Sequence, residues 1–466
     1  MMQNQGAFEE GEKLMQRAFA LDPTLTQNFG EHQPETLSLG TTGADVYVCD
    51  MPGVHHWTGG FFGSNPVNGF HAYSAGTTSA NGGDEILGWN NSTQNYPVIG
   101  QNLYMYHDDR LQLVAISWLK HGFCALQQSQ CGPCTPAGSG CPTQLGPGCS
   151  DPYSASLNGQ QNRLGPRSEV NPVTGFRVLN HATPSPSPDD PSNTLGGRIR
   201  VHEDTLSTPG AVFLVEGQYI HPQDIDSGNQ YDNSSWRYAT VNQSSFAITS
   251  SGPTRQRETA IYAWQELDPE VVINDIDIPD DGRFSVAYVV RDNGDGTWRY
   301  EYAVHNYNSD RAAGSFEVPL GVDGNVTNMG FNGVEYFNGD GVGGVNYDST
   351  PWTMTSGDGV VRWETESFGD NDNANALRWG TMYNFWFDSD LPPVDADATL
   401  GLFKPGTPNS ADAPVMAPAS NSCPWDLNGN GSIGAPDLGL LLSNWGNPYT
   451  SAQLAALLSN WGPCPQ

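Results

Sequence analysis

The sequence has few basic residues. Its 466 residues include 19 Lys and Arg against 51 Asp and Glu, which gives a formal net charge of −32. Phosphate backbones and anionic lipid surfaces repel such a charge, so the composition argues against nucleic-acid binding and membrane-surface binding and favours cations as small partners. The sequence also lacks an uninterrupted apolar run of about 18 residues, so we expect no membrane-spanning helix.

Strong catalytic motifs and a recognisable leader are absent as well. The sequence contains no Gly-x-Ser-x-Gly, His-Glu-x-x-His or phosphate loop, so several hydrolase and nucleotide-binding classes lose their usual support. Residues 1–25 suggest a short amphipathic helix and not the basic and then apolar layout of a signal peptide. Eight cysteines, however, indicate disulfides and an oxidising compartment. We therefore expect an extracellular or cell-surface protein whose export signal lies upstream of this sequence.

Turn-forming residues and aromatics are plentiful, which favours strands joined by turns. The sequence has 54 Gly and 34 Pro, whereas charged residues make up only 15%. Apolar residues alternate on both sides of "NGDG" in residues 283–304, and "HDDR" joins a second predicted hairpin. We predict a mainly β protein with an antiparallel, jelly-roll-like β-sandwich body in two domains, 26–254 and 255–404. The Pro-, Ala- and Ser-rich residues 405–422 are predicted to form a linker.

The segment after this linker has the spacing of a calcium-binding loop. Calcium prefers six to eight oxygen ligands, and this spacing directs several of them inward from one short loop. An ordinary Asp-, Asn- and Gly-rich turn is the alternative interpretation. The predicted ligands, at positions one, three, five, seven and twelve, are Asp426, Asn428, Asn430, the backbone carbonyl of Ser432, and Asp437.

Two leucine-rich stretches follow the loop, and both contain "LLSNWG". The first has Leu438, Leu441, Leu442 and Trp445 at helical spacing, and the same pattern recurs sixteen residues later. These repeats predict two short helices that share a core of Leu and Trp. Cys423 and Cys464 bracket the segment, and a disulfide between them would compensate for so small a core.

Residues 423–466 resemble a type I dockerin, a duplicated calcium-loop and helix module found at the end of secreted bacterial proteins. The second repeat lacks a ligand series, so we expect one calcium ion and not the two that are usual in that family. The resemblance implies docking to a cohesin-like partner or surface and attachment to polysaccharide breakdown. It covers about a tenth of the chain and does not extend to the body.

Several weaker signals in the body suggest metal chemistry. His107 and Asp109 have the H-x-D spacing of an iron-binding facial triad, which His181, His202 or His221 would complete; an ordinary hairpin turn is the alternative. Five cysteines crowd into residues 124–149, where disulfides are favoured over a zinc site. That zinc site would use Cys131, Cys134, Cys141 and Cys149.

The stretch "WLKHGF" just before the cysteines and the polar loop after them contain the candidate catalytic residues. If the protein cleaves glycosides, Asp151 and Glu169 would serve as acid and base, with His121 as a third candidate. The alternative is a disulfide-stapled surface loop. Trp and Tyr rings stack on sugars, so we also considered a groove lined by Trp236, Trp264 or Trp352, against the alternative that these rings are core.

Three functional hypotheses follow from the sequence. The first is a secreted, calcium-stabilised protein that binds or acts on polysaccharide or cell-surface glycan, attached through its dockerin-like module. If it is an enzyme, it would be a carbohydrate-active hydrolase. The second is a non-catalytic structural or adhesive surface protein. The third is a copper- or iron-dependent oxidoreductase that uses His55, His56, His71 and His121.

Overall fold

A computed structural model describes residues 41–60, 63–64, 66–177, 194–321, 324–418, 425–428, 432–446 and 449–464. Strands account for 43% of the structure and helices for 11%, and the sheets are antiparallel, which confirms the predicted fold class. The helix predicted for residues 1–25 lies outside the described residues.

The first half of the body contains seventeen of the described strands, most of them short. The strands are β1 Val46–Asp50, β2 Val54–His56, β3 Gly59–Gly60, β4 Gly63–Ser64, β5 Phe70–Ala75, β6 Thr77–Asn81, β7 Leu87–Gly88, β8 Val98–His107, β9 Arg110–Ile116, β10 Leu119–His121, β11 Gln144–Leu145, β12 Ser150–Tyr153, β13 Leu164–Gly165, β14 Ile199–His202, β15 Val212–Ile220, β16 Ser234–Val241 and β17 Ile248–Arg255. Short helices join some of them: α1 Ala155–Asn158, α2 Glu203–Leu206, α3 Pro222–Asp226, and two 3₁₀ turns, Gln161–Arg163 and Arg167–Glu169.

A seven-stranded sheet is central to this half. Its order is β13-β10-β8-β15-β16-β17, and β9 also pairs with β8 through the predicted "HDDR" turn. Alternate residues face opposite sides: Leu103 and Val215 pack into one apolar cluster, whereas Tyr104 and Leu214 pack into another. Because successive side chains of a strand point to opposite faces, this alternation buries both faces of the sheet.

The second half of the body contains ten strands and one helix among its described residues. They are α4 Tyr262–Leu267, β18 Val272–Asp277, β19 Arg283–Asp292, β20 Trp298–Asn306, β21 Ala313–Pro319, β22 Val326–Asn332, β23 Thr353–Gly357, β24 Val360–Glu364, β25 Thr381–Ser389, β26 Val394–Leu402 and β27 Ser410–Ala417. The strands form two five-stranded sheets, ordered β18-β19-β20-β25-β22 and β23-β24-β21-β26-β27.

The two five-stranded sheets pack face to face as a β-sandwich with an aromatic core. The ring of Tyr302 on β20 lies 5.6 Å from Phe316 on β21, and Trp363 on β24 lies 5.5 Å from Phe385 on β25. These are ordinary separations for interacting aromatic pairs in a core. The predicted hairpin of β19 and β20 is present in register from Phe284↔Asn306 onward.

Packing continues across the boundary predicted near residue 255. The buried Trp264 of α4 belongs to the same apolar cluster as the sandwich, and its indole N–H donates to the carbonyl of Asp109, 3.0 Å away, in the first half. Arg110 on β9 forms two hydrogen bonds with Glu301 on β20, of 2.8 and 2.6 Å. The two halves are therefore joined by both apolar and charged contacts.

The predicted linker at residues 405–422 is wrong for residues 410–417, which form β27. This strand pairs with β26 from Val394↔Ala417 to Gly401↔Ser410. Ala413, Val415 and Ala417 point inward, and small side chains suffice there. Pro414 is tolerated because β27 is an edge strand, where a missing N–H costs no ladder hydrogen bond.

The cysteines of the body form three disulfides, as predicted: Cys49–Cys131, Cys124–Cys141 and Cys134–Cys149. The alternative zinc site is wrong, because all four of its proposed cysteines are in these bonds. Cys464 is also disulfide-bonded, and Cys423, its predicted partner, lies outside the described residues.

The C-terminal segment contains helices α5 Ala435–Ser443 and α6 Ser451–Ser459, tied by strands β28 Ser432–Ile433 and β29 Gly462–Pro463. Ile433, Leu441 and Leu457 form its buried core. The prediction of a core shared by Leu and Trp is only half right. Leu442, Trp445, Leu458 and Trp461 are each about half exposed. Leu442 and Leu458 follow the buried leucines by one position and so lie about 100° around the helix from them, whereas Trp445 and Trp461 lie beyond the ends of α5 and α6.

Candidate functional site

A cavity of about 360 Å³ lies where the two halves of the body meet. Its first-half wall comes from the segment between β9 and β10 and from the 3₁₀ turn Arg167–Glu169. The second-half wall comes from the segment between β20 and β21, from the loops between β22 and β25 and from the residues that follow β26. Small-molecule sites occur preferentially at such junctions, because two elements together make a concave surface.

The lining combines aromatic rings with charged groups of both signs. Six aromatic side chains line the cavity: Trp118, Tyr336, Tyr347, Phe368, Trp379 and Phe403. Six charged side chains also line it: Arg167, Asp310, Asp340, Asp372, Arg378 and Lys404. An apolar wall with a few fixed polar groups is the usual composition of a small-molecule site.

Arg167 fixes the first-half wall against the second half. Its guanidinium donates to the carbonyls of Ser117, Gln101 and Gly380 and to Asn102 Oδ1, at 2.7 to 3.1 Å. Burial lowers the pKa of Arg167 to about 10. Gly380 must remain glycine, since its φ is +70° and a Cβ would lie 2.2 Å from the Arg167 Nη1.

Asp340 is a buried acid on the opposite wall. Its Oδ1 accepts the indole N–H of Trp118, and its Oδ2 accepts the backbone N–H of Phe337 at 2.6 Å. Burial raises the pKa of Asp340 to about 6, although both hydrogen bonds and the Arg167 charge act in the opposite direction. The hydrogen bond from Trp118 joins the two halves and fixes the position of the indole N–H at the cavity wall.

A glycine-rich loop, residues 338–347, forms part of the rim. Val342 and Val345 in this loop line the cavity and remain 45% and 44% exposed. Gly343 and Gly344 have φ values of +78° and +84°, which side-chain-bearing residues rarely adopt. The rim therefore presents apolar surface that a bound ligand would cover.

Arg378 lines the same second-half wall and stacks on an aromatic ring of the rim loop. Its guanidinium carbon is 3.5 Å from the centre of the Tyr347 ring. Its Nη1 donates to the carbonyl of Ala374 at 3.0 Å, and its Nη2 donates to the carbonyl of Asp372 at 3.3 Å. These contacts hold the plane of the guanidinium in one orientation.

The candidate catalytic residues from the sequence do not line this cavity. Asp151 on β12 has no exposed surface, and its Oδ1 accepts the N–H of Leu126 at 2.8 Å. Burial raises the pKa of Asp151 to about 7. Burial also lowers the pKa of the neighbouring Lys120 to about 7, an effect to which Arg163 adds. This pair belongs to the interior of the first half.

His121 and Glu169 share a neighbour, Tyr96, and the Lys120 ammonium donates to the carbonyl of His121 at 2.8 Å. His121 is buried, and its Nδ1 is 2.8 Å from the hydroxyl of Tyr96. Burial raises the pKa of Tyr96 to about 12, and the negative charge of Glu169 adds to that effect. Ser168 and Val170, on each side of Glu169, do line the cavity, so the predicted loop reaches the site through other residues.

The proposed aromatic groove is wrong. Trp236, Trp264 and Trp352 are fully buried core residues. The aromatic residues at the cavity, such as Trp118 and Trp379, lie in connecting segments next to strand ends. The available signal was the glycine-rich "NGDGVGG" at residues 338–344, a long loop on a β scaffold.

The histidines do not converge as a metal site. His56 Nε2 and His71 Nδ1 are 3.1 Å apart on β2 and β5, whereas His121 bonds to Tyr96. Burial lowers the pKa of His56 to about 4, with the nearby His71 adding to the effect. Over the described ranges, no three His, Cys, Asp or Glu side chains group as a metal-binding set. That finding does not support the oxidoreductase hypothesis.

The H-x-D pair, His107 and Asp109, lies at an ordinary hairpin turn, which was the alternative to an iron site. His107 ends β8 and lies 3.2 Å from Asp108, and Asp109 has a φ of +60° in the hairpin turn. His202 caps α2 by accepting the N–H of Asp204, and His221 caps α3 in the same way. His181 lies outside the described residues.

In the predicted calcium loop, Asp437 closes the loop onto the start of α5. Its Oδ1 accepts the N–H of Asn428 at 3.1 Å, and its Oδ2 accepts the N–H of Gly434 at 2.8 Å. Burial opposes its ionisation, but these N–H groups prevail and lower its pKa. The other predicted ligands among the described residues are Asp426, Asn428 and Ser432, which carry oxygen atoms of the kind that calcium prefers. Asn430 lies outside the described residues.

Comparisons with known proteins do not assign the chain to a family. No family model and no curated protein matches the sequence. Among solved structures, the chain is similar to the N-terminal domain of the Streptococcus gordonii adhesin Sgo0707, at 8% sequence identity and a TM-score of 0.18. The similarity covers 83% of this chain and 98% of that one. At this TM-score the likeness carries no argument about fold or function. In the described part of the chain, no helix is long and apolar enough to cross a membrane.

Proposed function

We propose that this is an extracellular glycan-binding protein whose ligand occupies the cavity between the two halves. The observation that supports this proposal is the aromatic lining of a cavity that also carries fixed polar groups. A sugar ring has apolar C–H faces and polar hydroxyls, so it fits a site that offers aromatic faces beside hydrogen-bonding groups. The three disulfides support an oxidising, extracellular setting.

The C-terminal segment is proposed to be a calcium-stabilised attachment module. Its oxygen donor set suits calcium, and its buried core is small enough to need metal and disulfide stabilisation. The dockerin-like sequence suggests a cohesin-like partner or a surface as the point of attachment. Asp426→Ala or chelation should lower the thermal stability of this segment, measured by differential scanning calorimetry, and leave the body transition in place. Insensitivity to both would refute the calcium assignment.

Binding to a panel of plant and algal polysaccharides tests the body's role. We expect pull-down of at least one polysaccharide and weaker binding, by roughly tenfold or more, after Tyr347→Ala or Phe368→Ala, because both rings are half-buried at the cavity. Phe176→Ala is the control, since Phe176 is an exposed aromatic residue that does not line the cavity. Equal losses in all three variants, or no binding to any glycan, would contradict the proposal.

The same incubation separates binding from catalysis. Soluble products would favour a carbohydrate-active hydrolase, with Asp340 as the first acid to test, because burial brings its pKa near neutrality. Binding without products would favour the non-catalytic adhesive alternative.

A further inference from the structure

The charge balance of the cavity differs from that of the chain. The whole chain has 19 basic against 51 acidic residues, whereas three basic and three acidic side chains line the cavity. A strongly acidic protein repels anions from most of its surface. The basic side chains of the cavity therefore offset the repulsion of anions there.

The acids of the cavity already have donors. Both oxygens of Asp310 accept from the Lys404 ammonium at 2.9 Å. Asp340 accepts from Trp118 and from the N–H of Phe337. Asp372 Oδ1 accepts from the side-chain amide of Asn373 at 2.6 Å. The acceptors on this wall are thus engaged within the protein.

Arg378, in contrast to these acids, keeps hydrogen-bonding capacity for a ligand. No carboxylate of the described residues lies within salt-bridge distance of it, and its acceptors are the backbone carbonyls of Ala374, Ala376 and Asp372. A guanidinium carries five N–H groups, so donors remain available after these bonds. The stack on Tyr347 fixes their direction. Ser168, on the facing wall, has a buried hydroxyl without a partner.

We propose that the ligand presents a carboxylate to Arg378, and therefore that the cavity selects an oligosaccharide containing a uronic acid. This inference rests on the proposed glycan-binding function. A planar guanidinium matches a carboxylate with two parallel hydrogen bonds, and the adjoining rings accept the faces of the sugar. Because the chain's charge repels long polyanions, short oligouronates are the preferred ligands.

Isothermal titration calorimetry with trigalacturonate and its trimethyl ester tests the inference on the unmodified full-length protein. The two ligands share the same sugar chain, but the ester carries uncharged methyl ester groups in place of the carboxylates, and we expect the acid to bind at least tenfold more tightly. Raising the salt concentration should weaken binding of the acid and leave that of the ester unchanged. Equal affinities would overturn the inference, as would tighter binding of a sulfated oligosaccharide that contains no carboxylate.

Variants assign the effect to Arg378. Arg378→Gln should bring the acid and the ester to within about twofold of each other, while Arg378→Lys should retain part of the preference. Arg362→Gln is the control, because Arg362 is a half-exposed arginine on β24 that pairs with Glu317 outside the cavity. A preference that survives Arg378→Gln would overturn the assignment. The comparison of acid and ester in the unmodified protein stands even if a variant fails to fold.

The outcome also separates this inference from the proposed function. Binding of neutral glycans without any preference for uronates would overturn the inference and leave the proposed function intact. Absence of binding to every glycan would overturn both.

Discussion

Arg110→Met tests whether the two halves of the body form one cooperative unit. The guanidinium of Arg110 donates to both oxygens of Glu301 and lies 3.6 Å over the ring of Trp386. The two charged side chains are only 14% and 9% exposed. Removal of one partner from a buried ion pair costs about 3 to 5 kcal/mol, because the other charge stays buried without compensation.

Two neighbouring contacts change the expected cost of removing Arg110. Arg299 also donates to Glu301 Oε1, at 2.7 Å, so the carboxylate keeps one charged partner after Arg110 is removed. The cation–π contact with Trp386 is worth about 0.5 to 1 kcal/mol and is lost. Methionine retains much of the aliphatic packing. We therefore expect Arg110→Met to lower the free energy of unfolding of the body by about 3 kcal/mol.

Urea denaturation followed by tryptophan fluorescence measures this change. Arg362→Met is the matched control, because the Arg362–Glu317 pair is more exposed and should contribute about 0 to 1 kcal/mol. The whole body should unfold in one transition that shifts to lower urea. The reasoning would be refuted if Arg110→Met cost no more than the control, or if only one of two separate body transitions moved.

Three further predictions concern stability. Replacement of both Cys49 and Cys131 by Ser should destabilise the body by about 4 kcal/mol, since this disulfide closes a loop over a separation of 82 residues; an unchanged melting temperature under non-reducing conditions would contradict this. The raised pKa of Asp340 means that its contribution to stability is complete below about pH 4 and is lost as the pH rises through about 6. Melting curves of Asp340→Asn across this range should lack that step, and an identical step would show that another group titrates. Leu441→Ala should abolish the C-terminal transition, because Leu441 is fully buried in a small core, whereas Leu442→Ala should shift it little; equal effects would contradict the observed division of the apolar face.

The strands were the most predictable part of the fold. Period-two alternation in residues 283–304 is a local signal, and the β19–β20 hairpin forms where that signal and the "NGDG" turn place it. β27 was missed because its inward residues are Ala413, Val415 and Ala417, whose small side chains give a weak pattern beside Pro414. Pairing with β26 over eight positions makes it a strand, and that long-range contact leaves no trace in the local sequence.

The cavity was much less predictable than the strands. The abundance of tryptophan suggested an aromatic site but could not show which rings face a core and which face a cavity. Trp264 is buried by a contact with the hairpin at Asp109, which is distant in sequence. Trp118 reaches the cavity because Asp340, more than two hundred residues later, accepts its indole N–H. These contacts join residues that are far apart in the sequence. They depend on the order of the strands in the sheets and on how the two halves pack together.

The pairing of the cysteines was also not predictable from the sequence. An even number of cysteines in loops was sufficient to predict bonding, and the bonds are present. Their connectivity depends on the folded path of the chain: Cys49 on β1 pairs with Cys131, while Cys134 pairs with Cys149. Four or more cysteines permit several pairings, and only the fold selects among them.

Hydrogen–deuterium exchange with mass spectrometry, with and without a glycan that binds, tests the central claim most directly. The cavity assignment predicts slower amide exchange in the rim loop 338–347 and in residues 371–378 when the glycan is present, with little change in the C-terminal helices. Protection confined to the C-terminal helices or to surfaces away from the cavity would contradict the account.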